Sequence, residues 1–166
     1  QLLFIVDAAI ELSSAERGFL ILTPSGPDGE IAFRAARNVE RGEVERPDRK
    51  VSSTIAREAL ATGAPVTTGD ARRDERFAGA GSVAEMRLRS VAALPLRFRG
   101  KTTGVLYVDH RYKEKIFTPR VVRVLESLAD HASATLETSR LLREVKTKTE
   151  ELARERERLA NQVESQ

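Results

Sequence analysis

Cysteine is absent from all 166 residues. That excludes disulfides, thiol catalysis, a cysteine-ligated metal and a thioether-linked chromophore. It fits a cytoplasmic protein, which needs no disulfides. Long hydrophobic runs are also missing. No stretch of about 18 apolar residues is present to span a membrane. The start, Gln1-Leu2-Leu3-Phe4, lacks the basic region of a signal peptide, and Asp7 and Glu11 interrupt the apolar stretch behind it. His110 and His131 are the only histidines, neither with a second His or Cys at metal-ligand spacing. Both read as ordinary surface or core residues, and no metal is expected. Gly79-Ala80-Gly81 lacks the following Lys and the strand-to-helix setting of a phosphate loop, and reads as a plain loop. The net charge of +3 is carried by no long block of consecutive basic residues. A nucleic-acid backbone is held by clustered positive charge, so no nucleic-acid partner is expected. No nucleophile, base and orienting group stand out together, so the chain is not expected to be an enzyme.

What is present is 40% hydrophobic residues, enough for one core, and 32% charged residues concentrated toward the C-terminus. Together these predict one compact domain with a solvated helix appended. The chain opens on Gln1 rather than Met and stops at Gln166 in mid-pattern. From this we expect a piece of a longer protein, with neighbours at both ends.

Periodicity orders the elements. Leu2, Ile5, Ala9 and Leu12 recur at helical spacing beside Leu3, Val6 and Ile10, predicting a helix over residues 2–12. Phe19-Leu20-Ile21-Leu22 reads as a strand covered on both faces. The turn formers of residues 24–29 predict a hairpin into an alternating strand over 30–37, with Ile31, Phe33 and Ala35 on one face and Glu30 and Arg34 on the other. Residues 40–50 read as a polar loop. A cap at Ser52, a stripe of Ile55, Ala59 and Leu60, and a stop at Gly63 predict a helix over 53–62. Residues 65–68 form a strand candidate, 69–82 an irregular polar segment and 83–88 a short helix. An antiparallel pair over 90–98 and 103–109 turns at Arg99-Gly100-Lys101. Pro95 marks an edge or a bulge, and the second strand of the pair is apolar enough to be central.

Thr118 at the N-cap, Pro119 at the first helical position and a Phe117–Val122 staple open a last helix. No Gly or Pro interrupts it, and at 1.5 Å per residue it could run about 70 Å. Its tail carries a heptad, with Leu142, Thr149, Arg156 and Val163 at one core position and Thr138, Val145, Leu152 and Leu159 at the other. This predicts a parallel dimeric coiled coil built on Leu142, Val145, Leu152, Leu159 and Val163, weakened by Thr149 and Arg156. A solvated helical overhang is the alternative. Few, mostly antiparallel strands between helices predict an α+β, three-layer α/β/α fold, with room for a small cavity between sheet and connecting loops.

Six segments follow one another in a familiar order. They begin with Ala15-Glu16-Arg17-Gly18-Phe19-Leu20-Ile21-Leu22. Next come Thr62-Gly63-Ala64-Pro65-Val66 and Asp70-Ala71-Arg72-Arg73-Asp74-Glu75-Arg76-Phe77. Arg89-Ser90-Val91-Ala92-Ala93-Leu94-Pro95-Leu96 with Gly104-Val105-Leu106-Tyr107-Val108-Asp109, and Phe117-Thr118-Pro119 through Leu128-Ala129-Asp130-His131-Ala132, complete the series. In this order they resemble the GAF domain of bacterial signalling proteins over residues 1–142, with 143–166 as a C-terminal coiled-coil signalling helix. The pattern most resembles GAF domains of sigma-54-dependent transcriptional activators, with sensor histidine kinases next. The resemblance implies a GAF-like, PAS-related fold with a long C-terminal helix. It implies a small-molecule-sensing regulatory domain that controls an ATPase output domain of the same polypeptide through a helical linker, as a homodimer through its terminal helices. A dimerisation or protein-interaction module without ligand, or the input domain of a histidine kinase, are the alternatives. Family members that hold a linear tetrapyrrole commonly use a Cys, and those that reduce free methionine sulfoxide depend on one. This chain has none, and the Asn-Lys-Phe-Asp-Glu signature of cyclic-nucleotide members is not evident, so no cofactor is identified.

The segment from Gly69 to Arg89 is where a ligand would meet the chain. Asp70, Arg73, Asp74 and Arg76 could close an internal salt-bridge network. Alternatively, Arg76 or Arg89 could meet an anionic ligand by a forked hydrogen bond. Phe77, Val83 and Met86 would then form an apolar wall, with Phe33 and Tyr107 as further walls or plain core. The candidate set is therefore Phe33, Asp70, Arg76, Phe77, Val83, Met86, Arg89 and Tyr107.

Overall fold

Strands with no polar face belong in the middle of a sheet, and two segments here are of that kind. The computed structural model describes residues 2–23, 32–38, 42 and 51–166. The expected turn at 24–29, Glu30 and Ile31, and all of the 40–50 loop but Gly42 lie outside the described residues. The elements are α1 (Leu2–Ser13), β1 (Arg17–Leu22), β2 (Ala32–Asn38), α2 (Ser53–Thr62), β3 (Val66–Thr68), α3 (Gly81–Met86), β4 (Ser90–Phe98), β5 (Lys101–His110) and α4 (Pro119–Glu164). The strands form one sheet in the order β2-β1-β5-β4-β3, and every pairing is antiparallel. The apolar β5 is its central strand, as its composition predicts. The fold is α+β. The chain divides into two compact units, Gln1–Ser133 and Ala134–Gln166.

Both faces of the sheet are used. On one, Phe19, Ile21, Val105 and Tyr107 meet Ile55, Ala59 and Leu60 of α2 in a buried cluster. On the other, Val6 and Ile10 of α1 lie against β1 so closely that a Cβ at Gly18 would stand 3.0 Å from Val6 Cγ1. The strands leave no room for a side chain at Gly104, opposite Leu22. A Cβ there would overlap the Ile21 carbonyl oxygen and stand 2.9 Å from Leu96 Cδ1.

Local chemistry sets the element ends. Ser52 Oγ accepts from the Ile55 N–H, and Gly63 closes α2 in the left-handed conformation at φ 63. The β4–β5 hairpin turns on two residues, Arg99 and Gly100, with φ of 50 and 80. Both are positive, as a tight hairpin turn needs. Thr118 Oγ1 accepts from the Val121 N–H at 3.3 Å, which caps α4 as expected. Leu125, Ala129 and Ala132 of α4 are buried. Among the described residues, Pro95 sits where β4 has β5 as its sole partner, because β3 reaches only Ala93. The register shift in β4 comes just beyond, between Leu96 and Arg97.

Two expectations need correction. Phe33 and Ala35 do not share a face. The β1–β2 register slips between Leu20 and Ile21, so that Leu20 faces Ala35 and Ile21 faces Phe33. Arg34 is the extra residue, and this bulge reverses the alternation; Phe33 and Ala36 then pack on the α2-side cluster. The short helix covers 81–86 rather than 83–88, because Arg87 turns left-handed at φ 54 and ends it.

Candidate functional site

Side chains two residues apart on β1 and β5 build a row across the sheet centre. Phe19 meets Tyr107 edge-on with ring centroids 5.7 Å apart, and meets Phe33 at 6.3 Å. The Tyr107 hydroxyl accepts from the Ser52 N–H at 3.3 Å. Burial and the nearby Asp109 carboxylate push that hydroxyl's pKa well above its usual value. Phe77, Val83 and Tyr107 belong to this buried cluster, with Phe33 and Met86 packed against it. The structure thus brings the five apolar candidates together.

One step along the row, an ion pair takes the place of an aromatic pair. Arg17 and Asp109 stand directly opposite in the β1–β5 register. Arg17 donates Nε to Oδ1 at 2.9 Å and Nη2 to Oδ2 at 2.8 Å, a bidentate fork. Both residues are buried, Asp109 completely. Burial lifts the Asp109 carboxyl to about 6, although Arg17 pulls it down. Sequence reasoning missed this pair as a site. The available signal was a lone charge at one end of each of two apolar strands, opposite in sign and brought into register by antiparallel pairing.

The charged candidates separate into two groups. Asp70 lies among three arginines, with Arg73 Nε at 3.6 Å, Arg89 Nη1 at 3.8 Å and Arg72 Nε at 3.9 Å. Its Oδ1 accepts from the Arg72 N–H at 3.2 Å, while the buried Oδ2 accepts no hydrogen bond. Arg89 is held chiefly by Glu114. Arg76 is tied to a different acid: Nε and Nη2 donate to Asp74 at 3.1 and 2.8 Å, and Nη2 also reaches the Thr67 carbonyl. Its guanidinium lies 4.9 Å from the Phe77 ring centroid. The hydrogen bonds from Arg76 hold the Asp74 carboxyl at about 2.

Clefts open among the described residues of the first unit. One, of about 500 Å³, is lined by Asp7, Glu11, Glu16, His110 and Lys113 among others. A second, of about 730 Å³, lies at the end of α2 by Thr62, Gly63, Arg97 and Thr102. The third, of about 510 Å³, is lined by Arg72, Arg87, Arg89, Arg111, Glu85, Met86 and Tyr112. Of the candidates singled out from the sequence, Met86 and Arg89 reach this third cleft. Arg72, Arg87, Arg111 and Tyr112 were not anticipated. Only the fold collects them, from the turn after β3, the end of α3 and the turn after β5. Arg87 holds a left-handed backbone there, which costs an L-residue roughly 1–2 kcal/mol. His110 Nδ1 accepts the Tyr112 and Lys113 N–H groups at 3.1 and 3.0 Å and so builds that last turn. Among the described residues no group of three or more His, Asp and Glu is placed to hold a metal, and no helix is long and apolar enough to cross a membrane.

The fold recurs in solved structures. A domain assigned to a two-component sensor histidine kinase of Sinorhizobium meliloti 1021 matches with a TM-score of 0.65 at 16% identity, covering 86% of this chain and 93% of its own. GAF3 of Slr1393 from Synechocystis sp. PCC6803, in its photoproduct state, matches with a TM-score of 0.70 at 13% identity, covering 87% and 96%. Residues 122 to 287 of a methyl-accepting chemotaxis protein match with a TM-score of 0.64 at 16% identity, covering 83% and 87%. No curated protein matches the chain. The family model for the GAF domain, a sensory and regulatory module, matches residues 2–137, and the chain therefore belongs to the GAF domain family.

Proposed function

We propose that this GAF domain senses a small molecule and passes the signal through its terminal helix to an output domain of the same polypeptide, without catalysing a reaction. The observation that carries this reading is in α4. The helix runs Pro119–Glu164, its early residues Leu125, Ala129 and Ala132 are buried, and Leu142, Val145, Leu152, Leu159 and Val163 are all exposed. Five exposed aliphatics at heptad spacing are explained by a second copy of the same helix, because a parallel pair aligns each core position with itself. Thr149, which would sit in that seam, already donates its hydroxyl to the Val145 carbonyl at 2.8 Å. Its polar atom is therefore satisfied within its own helix.

The output we favour is a sigma-54-dependent transcriptional activator in the cytoplasm, on the resemblance of the motifs. A histidine kinase is the second reading, supported by the likeness to the Sinorhizobium meliloti domain. Neither reading calls for direct contact with nucleic acid or membrane. Ligand and dimer are linked through whichever state each prefers, and a ligand shifts the balance only by its difference in affinity for the two.

Native mass spectrometry of the gently purified chain, with extraction of any bound small molecule, tests this. We expect a dimer that retains a discrete adduct or binds one on addition, and a monomer on Leu152→Lys. A dimer that takes up no small molecule would leave a pure interaction module, and a wild-type monomer would remove the coiled coil.

A further inference from the structure

The geometry points to a binding site for a small phosphate ester in the arginine-lined cleft beside α3. Four arginines line this cleft of about 510 Å³, Arg72, Arg87, Arg89 and Arg111, against one acidic residue, Glu85. The other acids that pair with these arginines, Asp70, Glu114 and Glu16, do not line it. Arg89 and Arg111 are thereby oriented, Arg111 by a 2.6 Å bond from Nε to Glu16. Arg72 is held loosely, 3.9 Å from Asp70. Among the described residues no carboxylate pairs with Arg87.

The backbone fixes the cleft as well. The Arg89 carbonyl accepts from the Ala71 N–H at 2.7 Å, and its N–H donates to the His110 carbonyl at 3.1 Å. One residue thus ties together the turns that carry Arg72 on one side and Arg111 and Tyr112 on the other. Arg87 is the second observation that points to a ligand. It keeps a side chain where φ is 54 and glycine is the ordinary choice. That backbone is the C-cap of α3, with its N–H on the Ala84 carbonyl, and it is the unpaired cation at the cleft that points to an anion.

The chemistry selects the ligand class. A phosphate monoester carries close to two charges and three acceptor oxygens, which suits several guanidinium forks at once. A carboxylate carries one charge and two acceptor oxygens, and so matches fewer of them. Tyr112 is 72% exposed, though it is a large aromatic. Arg111 stands 5.3 Å from its ring centroid, and His110 meets it edge-on at 6.1 Å. With Met86 it offers an apolar surface for the organic part of the ester.

This inference deepens the sensory reading and rests on it for the consequence of binding. The test is titration of the whole chain, by calorimetry and by amide NMR, with inorganic phosphate, phenyl phosphate and benzoate at constant ionic strength. Phenyl phosphate is expected to bind with Kd below about 1 mM, inorganic phosphate more weakly and benzoate more weakly still, with shifts at Arg72, Arg87, Arg89 and Tyr112. Arg72→Gln with Arg87→Gln should weaken phenyl phosphate about tenfold or more. Tyr112→Leu should weaken phenyl phosphate and leave inorganic phosphate unchanged. Arg87→Gly separates binding from folding: it should weaken binding while leaving Tm unchanged or raised, because glycine relieves the strain. A fall in Tm would make Arg87 structural and overturn the inference. So would shifts that chloride reproduces, binding as tight to benzoate, or affinity unchanged in the double variant. Absent phosphate binding in a dimer that retains another adduct would remove this cleft and leave the sensory reading. Phosphate binding that leaves the dimer and its output unaltered would do the reverse.

Discussion

Two arginine–carboxylate systems lie within one domain and differ in almost everything except their chemistry. Arg17 and Asp109 are shut inside the sheet, joined by a fork of 2.8 and 2.9 Å, with Glu16 4.0 Å from Arg17 beside them. Around Asp70, three arginines at 3.6 to 3.9 Å share one largely buried carboxylate, two of them lining an open cleft. In the first system neither partner can leave without stranding a charge away from water, so the pair holds β1 to β5 and nothing else can bind it. In the second, the arginines are more exposed than the carboxylate they share and outnumber the lining acid, so they remain available. Burial, rather than pairing itself, divides structural charge from charge that can meet a ligand.

The sharpest way to break this contrast is to remove the buried cation. Arg17→Met should cost about 3–5 kcal/mol near neutral pH, because it leaves Asp109 buried and unpaired. The pH dependence has a definite sign. Asp109 already sits at about 6 in the fold against 3.8 ordinarily, so the folded state holds the extra proton between those values and stability falls as pH rises through them. Without Arg17 the carboxyl rises further, and the variant should recover stability on acidification toward about pH 5. Arg17→Met with Asp109→Leu should recover most of the loss at every pH. Urea unfolding near pH 5 and pH 7 decides it. A single variant as stable as the parent would mean that water reaches Asp109 and that the two systems do not differ.

Much of this architecture was legible along the chain, because its signals are local. Ser52 and Gly63 delimit α2, Thr118 opens α4, and the apolar run of β5 marks the sheet centre. What escaped was non-local or depended on a break in period. The bulge at Arg34 has no local mark, so Phe33 and Ala35 read as neighbours on one face when they lie on opposite ones. Arg17 and Asp109 are 92 residues apart, and only the β1–β5 register joins them. The apolar candidates were recognisable as inward-facing, but periodicity is the same for a cavity wall and a packed core. The arginine cleft draws on three turns, and sequence reasoning reached only Arg89 and Met86 of its lining.

An intermediate case sharpens the comparison. Asp74 is bonded well by Arg76, yet the Arg76 side chain is 56% exposed. Asp74→Asn should therefore cost at most about 1 kcal/mol at neutral pH. Its carboxyl is held at about 2 against 3.8 ordinarily. The stability it contributes is present above about pH 4 and disappears as pH falls toward 2, the opposite sign to Asp109. Parent and variant unfolding curves should converge on acidification. If they instead diverge, Asp74 is not stabilised by its ionised form.

The smallest effect is expected at Arg72, where the contrast makes its most exposed claim. Its side chain is 41% exposed, and its carboxylate partner is 3.9 Å away. The bond that shapes the turn runs from the Arg72 backbone N–H to Asp70 Oδ1, and any side chain preserves it. Arg73 and Arg89 remain beside Asp70 to balance its charge. Arg72→Gln should accordingly shift stability by no more than about 0.5 kcal/mol, with little dependence on salt, in denaturant unfolding at low and high ionic strength. A loss near that of Arg17→Met would show that the ring around Asp70 is a second structural lock. Its arginines would then be committed to holding the turn, and the cleft would have no cation to spare for a ligand.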